Sequence, residues 1–123
     1  MKRCLNVIND YWLFCTLILF ASIGILSLTP LEQLPPAHGS DKLHHLIAYA
    51  ALAFPVSLRR PHYWWLILLG FLLYSGLIEL IQPFVNRYGE WLDMLANSAG
   101  VLIGLLLAQL LRHYFPITLK SSE

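Results

Sequence analysis

Residues 91–111 read WLDMLANSAGVLIGLLLAQLL, and this stretch decides the fold. Asp93 and Asn97 stand near its start, and from Ala99 to Ala108 no ionisable residue interrupts the run. A helix needs about 20 mostly apolar residues to cross a ~30 Å hydrocarbon core, and this segment has the length. Asp93, Asn97, Gly100 and Gly104 recur at spacings of four, three and four, which puts them on one narrow stripe of an α-helix. The segment therefore reads as a bilayer-crossing helix with a polar entrance and a glycine-lined face.

Three further apolar stretches precede it: Tyr11 to Leu28, Leu43 to Leu58, and Tyr63 to Ile81 with Gln82 closing it. Hydrophobic residues make up 58% of the 123 and charged residues 12%, a balance that excludes an ordinary soluble domain. Four spans and short loops use the whole length, so residues 1–123 form one membrane domain. The second stretch is short and reaches full length only if Asp41 and Lys42 sit among the headgroups. The expected fold is all-α, an up-and-down bundle of four transmembrane helices.

A formal net charge of +1 argues for no nucleic acid or strongly acidic partner, but the distribution of charge is informative. Lys2, Arg3, Arg59, Arg60, Arg112 and Lys120 flank one set of helix ends, and only Lys42 and Arg87 flank the other. The positive-inside rule then places both termini and the Arg59-Arg60 turn in the cytoplasm. Cys4 lies in the N-terminal tail and Cys15 within the first span, so no disulfide framework is implied. Lys2 and Arg3 before an apolar run have the look of a signal peptide. The run is long for one and no small-x-small cleavage site follows, so it is read as a retained span.

Thr29, Pro30, Pro35-Pro36 and Gly39 mark an external turn-rich loop, with Ser40 as N-cap of the second span. Pro55 kinks that span late, and Pro83 stops the third. Tyr63, Trp64 and Trp65 read as interfacial anchors.

Polar residues gather at the outward ends. Asp41, Lys42, His45 and Tyr49 fall within an arc of about 100° on the second span, from which His44 points away. Ser75, Glu79 and Gln82 share a face of the third. At 1.5 Å rise per residue, Glu79 lies about 28 Å from Arg60, near the outer edge of the hydrocarbon core. Ionisable groups at membrane depth are expensive, and their default reading is a functional site.

The ordered set Asp41-Lys42-x-x-His45-x-x-x-Tyr49, Glu79-x-x-Gln82, Arg87 and Asp93-x-x-x-Asn97-x-x-Gly100-x-x-x-Gly104 resembles the VanZ-like family. The match runs from about Asp41 to Gly104, with the first span as the family's usual preceding helix. The resemblance implies a small multi-pass protein of the bacterial cytoplasmic (inner) membrane. The family's named member is associated with resistance to teicoplanin, a glycopeptide that acts on lipid-linked cell-wall precursors outside the membrane. No reaction follows from the resemblance.

The residues themselves suggest roles. His45, Glu79 and Asp93 are the candidate proton-handling, catalytic groups. Lys42, Tyr49, Gln82, Arg87 and Asn97 are candidate ligand-binding groups, with Arg87 and Lys42 suited to a lipid phosphate. Each has a plainer alternative. Glu79 would pair with Arg87 or Lys42, Arg87 with Glu90 or Asp93, and His45 would hydrogen-bond Asp41 one turn back. A metal held by His45, Glu79 and Asp93 lacks any tight histidine-spacing motif, so neither a metal nor a cofactor is assigned. Gly100 and Gly104 read as helix packing within the bundle, with a homodimer as the alternative.

The leading expectation is an outward-facing pocket that binds or modifies an amphiphilic envelope molecule, its partners being membrane lipids and a lipid-linked envelope precursor. Two alternatives come from other classes: a small dimeric transporter or ion pathway, and an accessory structural subunit. Against a through-path, the first span carries no ionisable group but Cys15.

Overall fold

The computed structural model describes residues 1–34 and 39–116; Pro35, Pro36 and Lys120 lie outside them. Among the described residues five α-helices carry the fold: α1 (Lys2–Asp10), α2 (Trp12–Leu28), α3 (Asp41–Arg59), α4 (Trp64–Ile81) and α5 (Trp91–Tyr114). Among the described residues there is no strand.

Local chemistry sets the helix ends. α3 starts at Asp41, two residues before the apolar run, because Ser40 is extended and an acid in the first turn complements the helix dipole. The Ser40 side chain makes no capping hydrogen bond. At the other end Arg60 turns left-handed (φ 52°), immediately ahead of Pro61. Pro83 has no N–H to continue α4, and Gln82–Val85 tighten into a 3-10 turn. That turn closes on Asn86 at φ 58°, a conformation asparagine tolerates better than most residues.

The N-terminal tail is the main departure from the sequence expectation. Residues 2–10 form a helix of their own, bent by 77° from α2. α1 alternates Lys2, Arg3, Asn6 and Asp10 with Leu5 and Ile8, an amphipathic pattern too short to read as a span. Its apolar side docks beneath the bundle, where Leu5 packs with Leu58 and Ala108. α5 also runs three residues beyond Leu111, to Tyr114.

Trp64–Val85 and Trp91–Tyr114 are each long and apolar enough to cross a membrane, and α1 with α2 meets that standard as one bent pair. α3, with Asp41, Lys42 and Arg59 in its length, is not among them.

The helices alternate in direction. The starts of α3 and α5 meet the ends of α2 and α4, as hydrogen bonds from His45 to Asn97, Asn97 to Ser75 and Gln82 to Ser27 demonstrate. At the opposite end, Arg112 Nη1 donates to the Leu58 carbonyl at 2.7 Å. Between the two ends lies an apolar core that includes Leu52, Ala53, Val56, Phe71 and Val101.

The most extensive packing joins α3 to α5. Gly100 faces the Leu46 carbonyl and Ala50 N–H, and Gly104 faces the Ala50 carbonyl, so closely that a Cβ at either would collide with backbone. The glycine stripe is thus consumed inside the chain. Without a hydrophobic drive between helices in lipid, such close approach is what lets them pack.

Candidate functional site

Every titratable candidate from the second to fourth apolar stretches comes to one end of the bundle. α3 contributes Asp41, Lys42, His45 and Tyr49 from successive turns, and α5 contributes Asp93 and Asn97 from its first two. α4 supplies Ser75, Glu79 and, in the turn that follows, Gln82. His45 is the inward histidine, its side chain 10% exposed, whereas His44 is exposed.

A hydrogen-bonded relay ties three helices together. His45 Nδ1 lies 3.1 Å from Asn97 Oδ1, and Asn97 Nδ2 donates to Ser75 Oγ at 2.8 Å. With its amide nitrogen engaged by Ser75, Asn97 offers His45 an acceptor, so Nδ1 carries the ring proton. Tyr49, fully buried, sits beside Ser75. The other ring nitrogen, His45 Nε2, is 3.7 Å from Asp93 Oδ2 and 3.8 Å from Asp41 Oδ2. These are ion-pair distances, too long for hydrogen bonds. The expected His45–Asp41 hydrogen bond is therefore replaced by one to Asn97, because the ring is aimed across the bundle and not along its own helix.

Lys42 clasps the α5 entrance. Its Nζ lies 2.8 Å from Glu90 Oε2 and 3.3 Å from Asp93 Oδ1. The ammonium beside Glu90 holds that carboxyl below its ordinary range, and the same contact raises Lys42. Asp93 is buried, with 2% of its surface exposed, and its Oδ1 accepts no hydrogen bond.

Glu79 does not pair with Arg87 or Lys42. Its Oε2 accepts the Glu90 backbone N–H at 3.1 Å, and Oε1 is buried without a hydrogen-bond partner. The α4–α5 loop approaches this closely only because residue 89 is glycine: a Cβ there would run into the Glu79 carbonyl. Arg87 is likewise free of Glu90 and Asp93. Its Nη1 donates to the carbonyls of Leu26 and Thr29, both at 3.3 Å, at the end of α2. Asn86, in its left-handed turn, reverses the chain and sends Arg87 that way. Gln82 donates to Ser27 O at 3.1 Å in the same region.

Between α2 and α3 this end opens into a cavity of about 310 Å³. Ile23, Leu26, Leu34 and Ala48 supply its apolar wall, and Asp41, His45 and Arg87 its polar rim. Asp93 and Asn97 stand behind that rim in contact with His45, and neither they nor Lys42 and Glu79 line the cavity themselves. Asp41, His45 and Asp93 each present a ligand-type atom within 4.8 Å of the others, so these three, not the His45–Glu79–Asp93 set, are the group with metal-binding spacing among the described residues.

Glu90, Ser75 and the carbonyls at the end of α2 belong to the site although the sequence did not point to them as site groups. For Ser75 the signal was its position one turn before Glu79. The carbonyls carried none, since backbone acceptors have no sequence signature.

Comparison with known proteins agrees with the ordered polar pattern. No curated protein and no solved structure gives a significant match, but the profile of the VanZ/LLP1 family matches residues 4–112. That match takes in α1 through the last turns of α5, including every polar group of the site. This helical membrane protein belongs to the VanZ/LLP1 family.

Proposed function

We propose that the chain spans the bacterial cytoplasmic membrane four times with both termini in the cytoplasm. Its polar end faces outward and binds the anionic headgroup of an amphiphilic cell-envelope molecule, a role like that in teicoplanin resistance. α3 completes the fourth span by placing Asp41 and Lys42 in the headgroup layer. Asp41, Lys42 and Glu90 lie at one end, and Arg59, Arg60 and Arg112 at the other, which supports this orientation.

The carrying observation is Arg87 at the mouth of the 310 Å³ cavity. Only its Nη1 is engaged, leaving Nε and Nη2 without a protein partner among the described residues. A guanidinium with spare donors beside an apolar wall suits a phosphate joined to a hydrocarbon chain. In this arrangement the acyl or prenyl chain lies along Ile23, Leu26 and Ala48, and the phosphate meets Arg87. His45 and Glu79 handle protons, held by Asn97 and the Glu90 backbone.

The test is binding of a polyprenyl phosphate to the purified chain in phosphatidylcholine nanodiscs. Arg87→Gln should weaken binding about tenfold, the loss of ~1.4 kcal/mol. Equal affinity in wild type and variant removes the headgroup role. The transporter alternative gains no support from the geometry: the apolar core of Leu52, Val56, Phe71 and Val101 separates the polar end from Arg112.

A further inference from the structure

We infer that Asp41, His45 and Asp93 form a binding site for one divalent transition-metal ion, of the Zn²⁺ or Mn²⁺ class, at the inner edge of the α2–α3 cavity. The site rests on the outward chamber proposed above, and with the ion bound His45 serves as a ligand and leaves proton handling to Glu79. Four independent features support it.

The first is donor type and spacing. One imidazole nitrogen and two carboxylate oxygens lie within 4.8 Å of one another. Nε2 of His45 stands 3.7 Å from Asp93 Oδ2 and 3.8 Å from Asp41 Oδ2. Metal–ligand bonds of about 2.0–2.2 Å bridge such gaps across a tetrahedral or somewhat wider angle, whereas a direct hydrogen bond cannot. Mixed imidazole and carboxylate donors select first-row divalent ions.

The second is the outer shell. Nearly every metal-bound histidine donates its remote N–H to a fixed acceptor, which sets the tautomer and ring angle. His45 Nδ1 is committed to Asn97 Oδ1 at 3.1 Å, and Asn97 is itself fixed by Ser75. This leaves the Nε2 lone pair aimed at the two carboxylates. Lys42 approaches Asp93 through Oδ1, the oxygen that does not face His45.

The third is an unfilled acceptor. Glu79 Oε1 is buried and accepts no hydrogen bond, within electrostatic range of His45 and Asp93, whereas Asp93 Oδ1 is ion-paired with Lys42 at 3.3 Å. Buried carboxylates left in this condition are costly unless paired or bound to metal.

The fourth is charge. Glu32, Asp41, Glu79, Glu90 and Asp93 face Lys42 and Arg87, the fixed cations at this end among the described residues. A divalent ion offsets most of the excess negative charge. Asp41 and His45 both line the cavity, so an ion can enter, and three protein ligands leave a coordination position open toward it. Sites of this kind keep that position for water or a ligand oxygen, here a headgroup oxygen.

The experiment is metal content of the full chain in nanodiscs, stripped with chelator, equilibrated with Zn²⁺ or Mn²⁺ alone, and passed over a desalting column. About one ion per chain is expected for wild type, and under a tenth of that for His45→Gln and Asp93→Asn. Asp41 is exposed, so Asp41→Asn keeps the fold intact while weakening affinity at least tenfold. Asn97→Ala acts from the outer shell and should cost roughly 10- to 100-fold. Helical circular dichroism and gel filtration verify that each variant is folded. Less than a tenth of an ion on wild type, or equal metal on wild type and Asp41→Asn, overturns the site. Polyprenyl phosphate binding by the stripped protein that still depends on Arg87 would show that the headgroup reading survives a failed metal site.

Discussion

Asn97 Oδ1 accepts a hydrogen bond from His45 Nδ1 at 3.1 Å, joining α5 to α3 across 52 residues of sequence. The same amide donates to Ser75 on α4, so one asparagine holds three helices in register. Asn97→Ala would leave both partners buried and unpaired. A loss of about 1–2 kcal/mol in unfolding free energy is expected, within the range for interhelical hydrogen bonds in membranes. Reversible unfolding in mixed micelles measures it; an unchanged midpoint would mean that the amide is bystander packing.

The α3–α5 seam predicts opposite outcomes for different glycines. Gly104→Val would drive side-chain carbon into the Ala50 carbonyl, and a loss of roughly 1–3 kcal/mol or more follows from forced separation of the helices. Gly70 has nothing within 4 Å of a built Cβ, so Gly70→Ala should be neutral or stabilise by about 0.5–1 kcal/mol. Comparable melting temperatures for these two variants would refute the seam.

The Lys42–Glu90 contact carries a pH signature. Glu90's folded carboxyl is held below 4.5 by Lys42, so its contribution is present above that ordinary value and fades as pH falls through the lowered one. Lys42 is raised by the same partner, so its share persists to pH 10.5 and is lost above. The stability gap between wild type and Glu90→Gln should therefore be present at neutral pH and close in acid. Both side chains are about half exposed, so the gap is small and should shrink with salt. A gap that widens on acidification contradicts the assignment.

Asn86 is held at φ 58°. Asn86→Gly should be tolerated, whereas Asn86→Val should cost about 1–2 kcal/mol because a β-branched residue resists the left-handed region. If the turn aims Arg87, Asn86→Val will also weaken polyprenyl phosphate binding in parallel with Arg87→Gln. Stability loss with unaltered binding would uncouple the turn from the pocket.

Sidedness has a direct test. In a background lacking Cys4 and Cys15, Glu90→Cys should react with a membrane-impermeant maleimide in intact cells. Arg60→Cys should react only after permeabilisation. The reverse pattern would turn the protein over and place the pocket in the cytoplasm.

Much of this was legible from residue order. The stripe of Asp93, Asn97, Gly100 and Gly104 announced a buried face of α5, since small and polar residues at helical spacing have few other uses in lipid. The choice of His45 over His44 also followed from helical angle. Pairing was harder. Lys42, Arg87 and Glu79 each had several candidate partners within side-chain reach, and local spacing does not rank them. α1 was missed because nine residues of amphipathic helix are stable only when Leu5 finds Leu58 and Ala108.

The sequence by itself determined that the chain is helical and membrane-like, and that the acidic and polar site residues of its second to fourth apolar stretches crowd one end, with most basic residues at the other. Those properties depend on composition and on a period of 3.6, both local. Only the tertiary structure decided that His45 turns to Asn97 instead of Asp41, that Arg87 reaches back to the end of α2, and that Asp41, His45 and Asp93 converge. A hydrogen bond needs direction and a separation near 3 Å, and both are fixed by how helices pack, not by where residues stand along the chain.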